Sequence, residues 1–134
     1  MIRKIDHIGI AVRNIRDAIK IYTDALGLEV KDIETIEEHK VKVAMIPVGE
    51  SKIELLEPTH PEGNIAKYIE KRGEGLHHLA LEVEDIEATL DLLKAKGIPL
   101  VDEKPRIGAG GNKIAFLHPG GARRVSIELV EPRK

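Results

Sequence analysis

The chain states one pattern twice. Lys4-Ile5-Asp6-His7-Ile8-Gly9-Ile10-Ala11-Val12 returns as Leu76-His77-His78-Leu79-Ala80-Leu81-Glu82-Val83, and Lys52-Ile53-Glu54-Leu55-Leu56-Glu57-Pro58 returns as Ser126-Ile127-Glu128-Leu129-Val130-Glu131-Pro132. A tandem duplication constrains the fold strongly, because each half must build the same unit and the two units together must bury what neither buries alone. His7 and His78 hold equivalent places in the halves, as do Glu54 and Glu128. A pseudo-twofold relation between the halves would bring two imidazoles and two carboxylates onto one centre, which is a first shell for a divalent metal.

At 134 residues the chain has the length of one ordinary domain. Each half of about 60 residues would be marginal alone, so one cooperative domain is expected over 1–134. Module 1 spans about 3–58, a connecting helix about 64–73, and module 2 about 76–132. With no cysteine there is neither a disulfide nor a thiolate metal site, and any metal must be held by nitrogen and oxygen. A net charge of −2, a single Phe and no Trp leave neither an electrostatic footprint nor a stacking platform for nucleic acid. No stretch approaches the roughly 20 apolar residues of a membrane span, and Met1 runs into a strand pattern without a signal-peptide core. A cytosolic protein without membrane or nucleic-acid partners is expected.

Each half opens with an alternating strand followed by a helix with legible caps. In the first, Asn14 caps with Asp17 three residues on, Ile15, Ala18, Ile19, Tyr22 and Leu26 form one face, and Gly27 ends the helix. In the second, Asp85 caps, Ile86, Leu90 and Leu93 line the buried face, and Gly97 stops it. Three β-rich runs follow each helix: 28–35, 41–48 and 52–56, then 98–102, 113–118 and 124–130. The fold class is therefore α+β, with tandem βαβββ modules. Between them, Ile65, Tyr68 and Ile69 recur at helical spacing from Asn64 to Arg72.

Strand alternation decides which way the candidate ligands point. Ile8, Ile10 and Val12 share the face that covers a helix, leaving His7 opposite, beside the small residues Gly9 and Ala11. Leu79, Leu81 and Val83 likewise oppose His78 and Ala80; Ile53 and Leu55 oppose Glu54; Ile127 and Leu129 oppose Glu128. All four polar groups fall on the face away from the helices. They are kept while neighbours have diverged, Arg16 against Glu87 and Lys20 against Asp91, which favours a shared task over simple copying. His77 reads as structural, His39, His60 and His118 as loop or strand-end histidines that hydrogen-bond locally, and the acidic run Glu34 to Glu38 as a solvated turn. The segment Gly108-Ala109-Gly110-Gly111-Asn112-Lys113, flanked by Lys104, Arg106, Arg123 and Arg124, admits two readings: a hairpin connection, or a basic loop that approaches an anionic ligand.

The same segments, with Asp102-Glu103-Lys104-Pro105-Arg106-Ile107-Gly108 and Phe116-Leu117-His118-Pro119, resemble the vicinal oxygen chelate superfamily and, within it, the methylmalonyl-CoA epimerase family, nearly end to end. The resemblance implies paired modules curled into a cupped mixed sheet around a metal site, a homodimer, and an acyl-CoA substrate. It implies His7, Glu54, His78 and Glu128 as ligands of one divalent ion, with Co2+ favoured and Mn2+, Ni2+, Fe2+ or Zn2+ also accepted. It also implies inversion of methylmalonyl-CoA by proton transfer at the carbon alpha to the thioester, through a metal-stabilised enolate. Several bacterial epimerases carry Gln at the position of Glu54, and at that of Val43 a Glu proposed as one of the acid/base pair. Val43 cannot move protons, so Glu128 and Glu54 are the expected acid/base pair. Charge and loop position suggest Lys113, Arg106 and Arg123 as substrate contacts. Alternatives are a glyoxalase I-like lactoylglutathione lyase, whose metal shell is similar, and a metal-free binding module of the same fold. An extradiol dioxygenase fits less well, since the chain is short and lacks the aromatic pocket expected around a catechol.

Overall fold

The computed structural model describes residues 1–134, in two compact units: His7–His77, and Met1–Asp6 with His78–Lys134. The chain passes from one unit to the other twice, between Asp6 and His7 inside the first strand and between His77 and His78 near the start of the second module.

In the unit His7–His77, β1 (Ile2–Ala11) contributes its second half and pairs in parallel with β4 (Ser51–Pro58). Antiparallel pairing then adds β3 (Val41–Val48) and β2 (Asp32–Ile36). Helix α1 (Ile15–Ile19) starts where expected: the Asn14 side chain accepts the Asp17 N–H. It packs Ile15, Ala18 and Ile19 on Val12, Ala44, Ile46 and Leu55. Each fully buried aliphatic side chain there contributes about 2 kcal/mol of hydrophobic free energy. The helix does not run on as one regular α-helix to Leu26. From Lys20 to Ala25 it widens into a π-helix, with the Thr23 hydroxyl on the Ile19 carbonyl at 2.8 Å in competition with the main-chain ladder. Gly27 (φ +74°) then allows the left-handed step that ends it.

The opposite face of this sheet is not bare. Helix α2 (Asn64–Arg72) lays Ile65 and Ile69 on Ala11, Val41, Val43 and Leu56. The connecting helix thus seals the far end of the face on which His7 and Glu54 stand. The run 28–35 pairs only from Asp32, while Leu28 and Val30 pack against the α1 cluster without entering a ladder.

In the other unit, β5 (Gly75–Val83) pairs in parallel with β8 (Ile127–Glu131), followed by antiparallel β7 (Lys113–Phe116) and the two-residue β6 (Arg106–Ile107). Met1–Asp6 runs beside β5: the Met1 carbonyl accepts the Glu84 N–H, and Arg3 pairs with Glu82 and Glu84. Helix α3 (Ile86–Ala95), capped by the Asp85 carboxylate on Ala88 N–H, buries Ile86 and Leu90 against Val83, Ala115, Leu117 and Leu129. The other face carries Ala80, Ile114, Val130 and Phe116. The expected strand 98–102 does not form. Leu100 makes one isolated bridge to Leu117, and the Phe116 N–H goes to the Asp102 carboxylate at 2.9 Å instead of to a main-chain carbonyl, which ends the ladder. The outer strand is Arg106–Ile107 in its place. The fold is mixed α+β, and no helix is long and apolar enough to cross a membrane.

Candidate metal centre

Both units position their histidine and glutamate by the same register. Gly9 is aligned with Glu54 and Ala80 with Glu128, so each His stands two residues before a small residue that faces the carboxylate strand. Gly9 has no side chain and Ala80 only a methyl, and that lack of bulk leaves room for the imidazole and carboxylate to meet diagonally. His7 Nδ1 lies 3.4 Å from Glu54 Oε2, and His78 Nε2 lies 2.9 Å from Glu128 Oε1. All four residues are buried: His7 is 4% exposed, Glu54 5%, His78 9% and Glu128 5%. The face predicted from strand alternation is the face observed, since Glu54 lies on the side of Leu56 and Glu128 on the side of Val130.

Burying a carboxylate costs several kcal/mol unless it is paired. In each unit it meets an imidazole, and the donor set is nitrogen and oxygen without sulfur. That set suits divalent Mn, Fe, Co, Ni or Zn, so the residues fit the ion that the superfamily binds.

Three residues near these pairs were not singled out from sequence. Phe116, the one phenylalanine of the chain, sets its ring edge-on to His78 at 5.5 Å between centroids and so fixes one side of the imidazole. Its parity with Ile114 on β7 was the available signal. Asp6, adjacent to His7, is 4% exposed, a buried acid in β1. Asp102 ties β7 to Arg106, one carboxylate oxygen accepting the Phe116 N–H and the other the Arg106 Nε–H.

The expected substrate contacts separate. Arg106 is registered with Ile114 and stands on the His78 and Glu128 side of the sheet. Lys113 alternates with Ile114 and therefore shares the α3 side with Ala115; its ammonium pairs with Glu87 at 3.2 Å, which raises its pKa above the ordinary value. Arg123 and Arg124 are exposed in the turn before β8, both in left-handed backbone (φ 56° and 70°). The glycine-rich segment closes on itself through Gly111 N–H to the Gly108 carbonyl and Gly108 N–H to the Asn112 carbonyl, and a Cβ on Gly108 would stand 2.7 Å from Ile114. This is the hairpin connection of the two readings, with Gly108 required for close packing. His118 and His60 accept neighbouring backbone N–H groups from Gly120 and Glu62, as local hydrogen-bonding residues. His77 packs edge-on against Tyr68 of α2.

The fold and the paired His/Glu register define a class. The chain belongs to the glyoxalase/bleomycin resistance protein/dioxygenase superfamily, whose family model matches residues 6–116. Within it the chain stands among isomerases of the epimerase type. The ethylmalonyl-CoA/methylmalonyl-CoA epimerase of Cereibacter sphaeroides is 38% identical over 131 residues, covering 96% of this chain and 98% of the relative. A variant of Streptomyces coelicolor methylmalonyl-CoA epimerase in complex with 2-nitronate-propionyl-CoA superposes with a TM-score of 0.94 at 36% identity, over 98% of this chain and 95% of that one. A hypothetical protein from Bacillus halodurans C-125 reaches a TM-score of 0.96 at 45% identity, over 98% and 95% of the two chains.

Proposed function

We propose that this chain interconverts the two epimers of methylmalonyl-CoA, with His7, Glu54, His78 and Glu128 converging on one divalent ion. The observation that carries the reading is the repeated register, Gly9 with Glu54 and Ala80 with Glu128, which buries one imidazole and one carboxylate in each unit. The similarity to epimerases over nearly the whole chain supports the same substrate.

The carbon to be inverted lies between a thioester carbonyl and a carboxylate. When bound, a divalent ion supplies Lewis-acid stabilisation, worth several kcal/mol, of the charge that develops on the thioester oxygen. Its charge cancels those of the two glutamates, so the site does not repel a substrate carboxylate. Glu128 takes the proton from one side of the carbon and Glu54 returns one to the other, since inversion needs proton transfer on both faces. Val43, 4% exposed and packed in the α2 cluster, offers no ionisable group for this task, which leaves Glu54. His7 and His78 orient the two carboxylates by direct contact. Lys113 is engaged by Glu87, so we assign contact with the phosphates of coenzyme A to the exposed Arg123. Co2+ as the ion, a homodimer as the assembly and the cytosol as the location complete the proposal, and sedimentation velocity tests the dimer.

The test is hydrogen exchange. With metal-loaded protein in deuterated water, methylmalonyl-CoA should gain deuterium at the carbon between its carbonyls with inversion, and Glu128→Ala should abolish it. Glu54→Gln should cut epimerisation at least a hundredfold. Near-normal turnover in Glu54→Gln would reduce Glu54 to a ligand. No exchange with metal bound, but turnover of the methylglyoxal–glutathione adduct, would replace the epimerase reading with a lyase.

A further inference from the structure

β6 and β7 build a shelf beside His78. The Arg106 guanidinium carbon lies 5.7 Å from the Phe116 ring centroid, and that ring stands 5.5 Å from His78. Asp102 holds the arrangement at two points: Oδ1 accepts from Arg106 Nε at 3.2 Å, and Oδ2 accepts the Phe116 N–H at 2.9 Å. Val101 and Asp102 in turn donate their N–H groups to the Phe116 carbonyl. The Asp102 side chain is 16% exposed and that of Arg106 40%. A guanidinium stacked on a ring and fixed at Nε has its orientation set before any ligand arrives, so little rotamer entropy is lost when it forms a further hydrogen bond. A mobile surface arginine has neither restraint.

We propose that Arg106 is a substrate-binding residue that donates to the first amide carbonyl of the pantetheine arm, beyond the thioester sulfur, and that Asp102 is its positioning residue. This assignment rests on the acyl-CoA reading above. Position favours the amide. Arg106 stands one aromatic ring out from His78 on the same face of its sheet, so it meets the arm close behind the acyl head rather than at the diphosphate end. Charge favours it too, because Asp102 already balances the guanidinium, which suits a neutral carbonyl better than an anion.

The experiment compares wild type, Arg106→Leu, Arg106→Lys and Asp102→Asn on three thioesters of methylmalonate: those of coenzyme A, of pantetheine and of ethanethiol. Arg106→Leu should raise KM roughly tenfold or more for the coenzyme A and pantetheine thioesters while kcat changes little, as expected for loss of uniform binding by a charged donor. For the ethyl thioester the ratio of variant to wild-type KM should fall to about one. Lys should recover part of the loss, and Asp102→Asn should raise KM for the same two substrates by a smaller factor. A penalty that persists on the ethyl thioester would reassign Arg106 to the substrate carboxylate. A penalty that vanishes on the pantetheine thioester would reassign it to a phosphate. An active wild type with an unmoved Arg106→Leu overturns the assignment alone, whereas a wild type inactive on all three overturns the acyl-CoA reading with it.

Discussion

Glu131 Oε1 accepts the backbone N–H of Ile86 at 2.9 Å across 45 residues of chain, and Glu57 Oε1 accepts that of Ile15 at 2.7 Å in the equivalent place. Each carboxylate satisfies a first-turn donor that has no partner within its helix, and lies near the helix's positive end. The repeated Glu57 and Glu131 therefore lock each helix to the last strand of its own unit, while Glu54 and Glu128, three residues earlier, stand with the histidines. Glu57→Ala and Glu131→Ala should each lower the urea midpoint, by about 1–2 kcal/mol of stability, without changing the denaturant slope. Unchanged midpoints would remove the helix-locking role.

Removal of metal should loosen the fold measurably. Saturation at about a hundred times Kd stabilises by about 2.7 kcal/mol, which for a chain of this size raises the melting temperature on the order of ten degrees. Scanning calorimetry with chelator, and again after adding Co2+, should show that shift and its recovery. In His78→Ala the response to Co2+ should be lost whatever the apo stability of the variant. A metal response equal to wild type in that variant would exclude His78 as a ligand.

The Lys113 ammonium is held in its charged form by Glu87, and its pKa is raised above 10.5. A raised folded-state pKa means that the pair's contribution is fully present below 10.5 and fades only as pH rises through the folded value. Glu87→Gln should bring the Lys113 pKa back toward 10.5, read by NMR titration of the side-chain nitrogen. The difference in stability between wild type and Glu87→Gln should be constant across neutral pH and shrink at strongly alkaline pH.

Two successive arginines in left-handed backbone cost free energy that glycine would not. Glycine regains part of that cost but loses chain entropy on folding, so Arg124→Gly should raise stability by up to ~1 kcal/mol. Thermal melts of Arg123→Gly and Arg124→Gly decide it; a lower melting temperature in both would mean that the side chains contribute more than the backbone strain costs.

The sequence by itself determined the duplicated plan, the caps at Asn14 and Asp85, helix α2 from Asn64 to Arg72, and the face on which His7, Glu54, His78 and Glu128 stand. These features are local, set by the two-residue period of a strand, the capping chemistry of a helix and the turn freedom of glycine. Only the tertiary structure separated the two glutamates of each repeated motif into a helix lock and a histidine partner, because the Ile15 and Ile86 N–H groups come from far along the chain. It replaced strand 98–102 with Arg106–Ile107, since the Asp102 side chain took the hydrogen bond that a ladder would have used. It widened the first helix after Ile19 through the Thr23 hydroxyl, turned Lys113 toward Glu87, and set Phe116 against His78 and Arg106 over Phe116. Each of these outcomes depends on which distant group arrives within hydrogen-bonding or stacking distance, and that is settled by strand register, not by any period that a sequence displays.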